Sequence, residues 1–288
     1  MTHLIFIMFY TMGGKMDTEK KILTDAEIGE LEAPYVFDKK IKCVVCDGEF
    51  STKMIKGSKL RRIGADMDLR PRYKDVDTIK YNICSCTNCG YSALFKQFDH
   101  LSSRQIAEIK EKVSSHFIPK GDEIKGYYEY DQCIRFYELA LECCDAKFGK
   151  DGEKGYLYLN LAWLYRGKGE LLDQIADPNI QAMAREDIKK KEDQAYAKAY
   201  EHLSQAIMNE SLPIMGLDQA TLEYLLGYMA YHFGKYEVAA KFVSSVLTSS
   251  LSSRTAKDKA LDLKDIIVAE IKEKKAKEAV AKAAAAKK

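Results

Sequence analysis

Leu226-Gly227-Tyr228-Met229-Ala230-Tyr231-His232-Phe233-Gly234-Lys235-Tyr236-Glu237-Val238-Ala239-Ala240 is the stretch whose reading decides the fold. An apolar, helix-forming run is stopped by Gly234 and restarted at Tyr236. Tyr236, Ala239, Val243 and Val246 then recur at spacings of 3, 4 and 3, which is one stripe of a helix. Gly227 on the first helix and Ala239 on the second are small enough for the two to approach closely, and Gly234 supplies the turn.

The same pattern stands upstream. Leu161-Ala162 leads through Tyr165 to Gly169, and Tyr196, Ala199, Leu203 and Ala206 repeat the 3, 4, 3 spacing. Tyr130, Cys133, Tyr137 and Ala140 repeat it once more. A helix–turn–helix unit of this kind resembles the tetratricopeptide repeat, a module of about 34 residues. The expectation is two full repeats, one earlier partial repeat, and a capping helix from about Ser253 with Ala260, Leu263, Ile267 and Ile271 on one stripe. Two departures stand out. Glu223 replaces an aromatic in the last unit, and Gly169 to Tyr196 holds an insertion of about 25 residues. Such stacks present a concave groove for peptides or helices. Tyr127, Tyr128, Tyr130, Tyr156 and Tyr158 are the candidates to line it, with core packing the competing reading.

Residues 21–100 read differently, with five of the eight cysteines and short β-prone runs punctuated by Pro34 and Pro71. Cys43-Val-Val-Cys46 and Cys86-Thr-Asn-Cys89-Gly90 are two Cys-x-x-Cys pairs. Each pair lets two thiolates of one turn reach one ion, and two turns complete a tetrahedron of the kind that holds structural zinc. Four thiolates leave no coordination position for a reacting water. Cys84 lies two residues before Cys86, either as a buried strand residue, a substitute ligand or a redox-sensitive neighbour. The pairs stand 39 residues apart, and the stretch from Asp38 to Lys80 is basic, with twelve Lys or Arg against seven Asp or Glu. Zinc ribbons with basic loops often contact nucleic acid, but alternation of the charges and few aromatics favour a solvated loop.

Leu60-Arg61-Arg62, Asp66-Met67-Asp68, Pro71-Arg72-Tyr73 and Tyr81 fall between the pairs, and Gly90-Tyr91-Ser92-Ala93 follows the second. With the two knuckles, this resembles the bacterial family called Domain of Unknown Function 2225, and Leu161-Ala162-Trp163-Leu164-Tyr165-Arg166 resembles its helical signature. The resemblance spans about residues 38–250. It implies zinc binding and a repeat scaffold, and implies no known reaction. Asp47 stands where such knuckles carry glycine, with Gly48 one place later.

The bulk numbers fit this picture. The chain has 288 residues, 47% apolar and 31% charged, with a net charge of +2, so no global field marks a nucleic-acid or membrane protein. The run Leu4 to Tyr10 has no basic flank and is too short to span a bilayer. Residues 1–20 are expected to be a disordered or mis-assigned start, with Met12 or Met16 as the true one. No membrane partner is expected, and a cytoplasmic location makes paired cysteines a metal site before a disulfide. From Lys272 to Lys288 seven lysines face two glutamates, a basic Lys/Ala-rich tail.

No phosphate loop, dinucleotide fingerprint, nucleophile elbow or His-Glu-x-x-His helix is present. An enzyme is therefore the less favoured reading. Arg61, Arg62, Asp66 and Asp68 remain a candidate polar site near the metal, or ion pairs that fix a long loop. The expected fold is mainly α: a zinc-ribbon-like β module over 21–100, a tetratricopeptide-like helical domain over 101–270 and the tail at 271–288. The expected function is a zinc-binding scaffold that grips a protein or peptide. The alternatives are a nucleic-acid-binding regulator using the basic linker, or an enzyme or thiol sensor near the zinc.

Overall fold

In a computed structural model of the chain, residues 24–120, 125–172 and 178–285 are described; the proposed starts at Met12 and Met16 and the run Leu4 to Tyr10 lie outside them. The fold is mainly helical, with a small antiparallel strand region at its N-terminal side. A short helix α1 (Asp25–Glu32) leads to the hairpin β1 (Val36–Lys42) and β2 (Glu49–Ile55), paired from Val36↔Ile55 to Lys42↔Glu49. Two smaller hairpins follow, β3 (Arg62–Ala65) with β4 (Pro71–Tyr73), and β5 (Ile83–Ser85) with β6 (Ser92–Leu94). Each is a separate two-stranded ladder among the described residues.

Helix α2 (Ser103–Ile109) starts on a capping box, Ser at 102 and Gln three residues on at 105. The Ser102 hydroxyl accepts from the Gln105 amide at 3.3 Å, and Gln105 returns the bond to the Ser102 amide at 3.0 Å. The chain then runs through α3 (Tyr130–Ala146), α4 (Asp151–Leu172), α5 (Pro178–Asn209), α6 (Gln219–His232), α7 (Tyr236–Thr248) and α8 (Arg254–Ala285). The expected insertion before Tyr196 lengthens both α4 and α5, and Pro178 takes the first position of α5, where a missing N–H costs nothing. The basic Lys/Ala-rich tail expected from 271 is continuous with α8, which runs to Ala285.

Small residues stand where helices meet. A Cβ on Gly155 of α4 would lie 2.9 Å from the backbone nitrogen of Leu203 on α5. A Cβ on Gly227 of α6 would lie 3.1 Å from Phe242 Cβ of α7, and Gly234, at φ 69°, forms the turn between them. Glu223, in the place of an aromatic, is buried and accepts the Ser245 hydroxyl at 2.6 Å and a Gln219 amide proton at 2.8 Å. The core divides into three groups. The largest joins α3–α6 to Val36, Ile79, Ile83 and Leu94 of the strand region. A second surrounds the cysteines with Phe50, Tyr91, Phe98, Ile109 and Val113. The third packs α6, α7 and the Ala260, Leu263 and Ile267 stripe of α8. The strand region is thus built onto α3 rather than hung from a linker.

Candidate metal centre and the head–helix junction

The two Cys-x-x-Cys turns fold by one rule. In the first, the Cys43 amide donates to the Gly48 carbonyl at 2.9 Å and the Asp47 amide donates to the Cys43 carbonyl at 2.9 Å. In the second, the Cys86 amide donates to Tyr91 at 2.8 Å and the Gly90 amide to Cys86 at 2.9 Å. The fifth residue of each turn is left-handed, Asp47 at φ 61° and Gly90 at φ 75°. Asp47 therefore takes the glycine's conformation. Aspartate tolerates that region better than most residues, so the sequence departure leaves the knuckle intact.

These turns bring the four sulfurs together. Cys43 Sγ lies 3.7 Å from Cys89 Sγ, Cys46 Sγ lies 3.7 Å from Cys86 Sγ, and all four fall within 4.8 Å of one another. A tetrahedron with metal–sulfur bonds of about 2.3 Å has edges of about 3.8 Å. Three of the cysteines are buried and Cys46 is half-buried. The Val45 amide turns toward Cys43 Sγ at 3.4 Å, a contact that stabilises negative sulfur. Hydrogen bonds from Cys86 and Cys89 pull the Cys43 thiol well down. The bond to Cys43 drives Cys86 up and Cys89 up to about 12. One thiolate is favoured here and further ones are opposed, which a shared cation would relieve. The donor set fits a metal ion of tetrahedral preference.

Cys84 is outside this group. It lies in β5, fully buried, and burial pushes its thiol up to about 12. That is the signature of an inert core thiol, not of a sensor. Cys133, Cys143 and Cys144 are buried on α3.

The polar site expected at Arg61, Arg62, Asp66 and Asp68 is half corrected. Arg61 and Arg62 are exposed at the base of the β3–β4 hairpin, and Arg62 Nε reaches only its own turn at Gly64 O, 3.4 Å. Asp66 and Asp68 are at the tip, docked on the helices. Trp163 Nε1 donates to Asp68 Oδ2 at 2.8 Å, and Arg166 meets the same oxygen at 2.8 Å. Arg72 holds Asp66 through two bonds of 2.7 Å and Glu170 at 2.5 Å. Arg70 joins Asp77 at 2.7 Å and Glu170 at 3.2 Å, and Arg166 also binds Glu192 at 2.9 Å. Tyr224 donates to the Met67 carbonyl at 2.7 Å. Among the described residues the cluster's hydrogen bonds to other elements go to α1, α3, α4, α5 and α6, not to the cysteines. Arg70, Arg72, Asp77, Glu170 and Glu192 were not foreseen as part of it. The partial signal is alternation: Arg70 and Arg72 stand two apart at the start of β4 and both reach Glu170, whereas Asp66 and Asp68 are brought to them by the turn, which closes through the Asp66 amide on the Arg70 carbonyl at 2.9 Å.

The tyrosine groove is also corrected. Tyr127 and Tyr130, with Tyr128, are buried core residues. Tyr127 covers Gly29 of α1, Tyr130 donates to Asp77 at 2.9 Å, and Tyr128 accepts the Lys53 amide at 3.0 Å. Tyr156 is half-buried against the main core. Tyr158 alone of the expected set reaches a surface groove, where Tyr158, Leu161 and Tyr165 of α4 face Ala195 and Lys198 of α5.

A four-cysteine cluster able to hold a metal, on a small strand head clasped to a stack of helices, defines the class of protein. The chain belongs to the family described as uncharacterized protein conserved in bacteria (DUF2225), whose sequence profile matches residues 36–267. No curated protein and no solved structure matches the chain. No described helix is long and apolar enough to cross a membrane.

Proposed function

We propose that the chain is a cytoplasmic, zinc-dependent adaptor, in which a closed tetrathiolate zinc fixes the head and a tetratricopeptide-like stack holds a protein partner. The observation that carries this is the sulfur quartet, with two 3.7 Å edges matching a tetrahedral ion and no fifth donor grouped with it among the described residues. All-sulfur tetrahedral coordination suits zinc, and a closed sphere makes the ion structural rather than catalytic. The repeat reading is supported by the paired helices α4–α5 and α6–α7, each closed by glycine at its crossing, with α8 as the cap. The Asp66–Arg72 tip already fills the surface over Trp163 and Arg166. Partner binding is therefore assigned to the groove between Tyr158, Leu161 and Tyr165 of α4 and Lys198 of α5, which is open.

Two measurements test it. Natively purified protein should hold one zinc per chain by elemental analysis; well under one, or iron in its place, overturns the zinc assignment. A pull-down from the source bacterium should recover proteins that Tyr158→Ala with Tyr165→Ala releases. Recovery unchanged by the double variant overturns the groove assignment.

A further inference from the structure

The linker between the knuckles carries its positive charge in two separate places. From Asp38 to Lys80, six of the seven acids stand in ion pairs: Asp38 with Lys53, Asp47 with Lys42, Asp66 with Arg72, Asp68 with Arg166, Asp75 with Lys74, and Asp77 with Arg70. The pairs that involve Arg70 and Arg72 lie at the docked tip of the hairpin. The surplus cations lie at its base and arms. From Lys56 to Ala65 the sequence holds Lys56, Lys59, Arg61 and Arg62 and no acid. Lys59, Arg61 and Arg62 are exposed, and none forms an ion pair with the described residues; Lys56 Nζ reaches only the Pro34 carbonyl, at 3.3 Å. Lys74 is drawn into the same patch, because its amide donates to the Arg61 carbonyl at 2.9 Å, and its own pair with Asp75 is long, 3.9 Å. Ile63 stands exposed among them.

From this sorting we infer that the outer face of the β3–β4 hairpin is a nucleic-acid-binding surface, reading phosphates rather than bases. A chain of near-neutral net charge that pairs its acids elsewhere and leaves a run of guanidinium and ammonium groups exposed on one ribbon presents a local polycation. Its complement is a polyanion of regular charge spacing. Each exposed arginine suits phosphate oxygens, which a guanidinium can bind in bidentate fashion. A two-stranded ribbon of this shape is narrow enough to lie along a nucleic-acid groove. The only exposed apolar residue among these cations is Ile63, so base stacking contributes little and sequence preference is expected to be weak. The docked tip holds the ribbon on the helices, which fixes the direction in which the cations face.

The test uses the full chain and labelled single-stranded DNA, RNA and duplex DNA of about 20 nucleotides, longer than a typical footprint. Fluorescence anisotropy should show binding at about 10⁻⁶–10⁻⁴ M near physiological salt, weakening linearly in log–log form as salt rises. Lys59→Glu with Arg61→Glu and Arg62→Glu should weaken it by about tenfold or more and flatten the salt slope by about 2–3. The three residues are exposed, so unchanged Trp163 emission should confirm that the variant folds. Absence of salt-sensitive binding, or wild-type binding by the triple variant, overturns the inference. Binding to polyglutamate as tight as to the oligonucleotides would also overturn it and make an acidic polypeptide the partner.

Discussion

Trp163 Nε1 on α4 donates to Asp68 Oδ2 on the β3–β4 tip at 2.8 Å, across 95 residues of sequence. Asp68 is fully buried, and Arg166 one turn along α4 neutralises it at 2.8 Å. The strands therefore do not merely precede the helices. One carboxylate fixes how the head sits on the stack, because a buried anion must keep its partners or carry a large desolvation penalty.

Removing the cation should be costly. Arg166→Met leaves Asp68 buried without its charge partner and should lower stability by about 3–5 kcal/mol in urea unfolding. Arg61→Ala, at the exposed base of the same hairpin, should stay within about 0.5 kcal/mol of wild type. Equal effects of the two would contradict the placement of the cluster.

Acid should loosen the junction. Burial alone would raise the Asp68 carboxyl, but the charge and hydrogen bond of Arg166 and the bond from Trp163 outweigh it and hold it below its ordinary 3.8. Asp77 is likewise held down, by Arg70 against burial. A carboxyl lowered in the folded state adds stability above its ordinary value, and the contribution is lost as pH falls through the folded value. The urea midpoint should change little from about pH 7 to 5 on this account and drop below about pH 4. In Asp68→Asn that acid limb should be shallower. An identical limb in the variant would place the acid sensitivity elsewhere.

What was legible in the sequence follows how local each signal is. The knuckles and the Ser102–Gln105 cap are set by contacts within a few residues, and their spacing announces them. The Trp163 and Arg166 run was visible as a motif, but its partner was not, because nothing in a sequence states that residue 68 lies against residue 163. Arg61-Arg62 drew attention as an adjacent pair, yet alternation decides which residues share one side of an extended chain, and it selects Arg70 and Arg72. The tyrosines at 127–130 look like a groove by composition. They are instead the wedge that seats α1, β2 and α3 against one another, a long-range packing event with no local mark.

The α4–α5 crossing offers a steric test. Alanine is the better helix former than glycine by about 1 kcal/mol, so propensity alone makes Gly155→Ala stabilising. The new methyl would sit 2.7 Å from Leu203 Cγ and 2.9 Å from its backbone nitrogen, and the backbone cannot step aside as a side-chain tip can. Overpacking of this kind costs about 1–3 kcal/mol, so net destabilisation is expected in thermal unfolding. A raised melting temperature would show that the helices are not in this contact.

Metal removal should act locally. The cysteines belong to a core group of their own, while Ile79, Tyr81 and Ile83 are held in the main core. Tyr137 donates to the Ile79 carbonyl at 3.1 Å, and Lys80 donates to the Tyr128 carbonyl at 2.9 Å. Chelation should strip amide-exchange protection from the two knuckles and leave emission from Trp163, the single tryptophan, near its native wavelength. Cys89→Ser should abolish metal retention, whereas Cys133→Ser, whose thiol meets the Lys80 carbonyl, should keep it. A shift of Trp163 emission on chelation would mean that the whole head depends on the ion.

The knuckle turns make the sharpest conformational prediction, because the two are built alike with different residues at the left-handed position. Asp47 at φ 61° has an exposed side chain and a surface pair with Lys42 at 2.9 Å, worth little in water. Asp47→Gly should therefore retain the metal and change stability by no more than about 1 kcal/mol, since glycine enters this region without strain. Asp47→Val should weaken metal retention, because a β-branched residue is a genuine outlier there. At the second turn the tolerance disappears. Gly90 at φ 75° faces the Phe117 ring, with a built Cβ 2.4 Å from it, so even Gly90→Ala combines backbone strain with a clash. Comparing metal content across these three variants separates backbone conformation from side-chain chemistry. Equal metal loss in Asp47→Gly and Asp47→Val would show that the aspartate carboxylate, rather than its left-handed backbone, sustains the site.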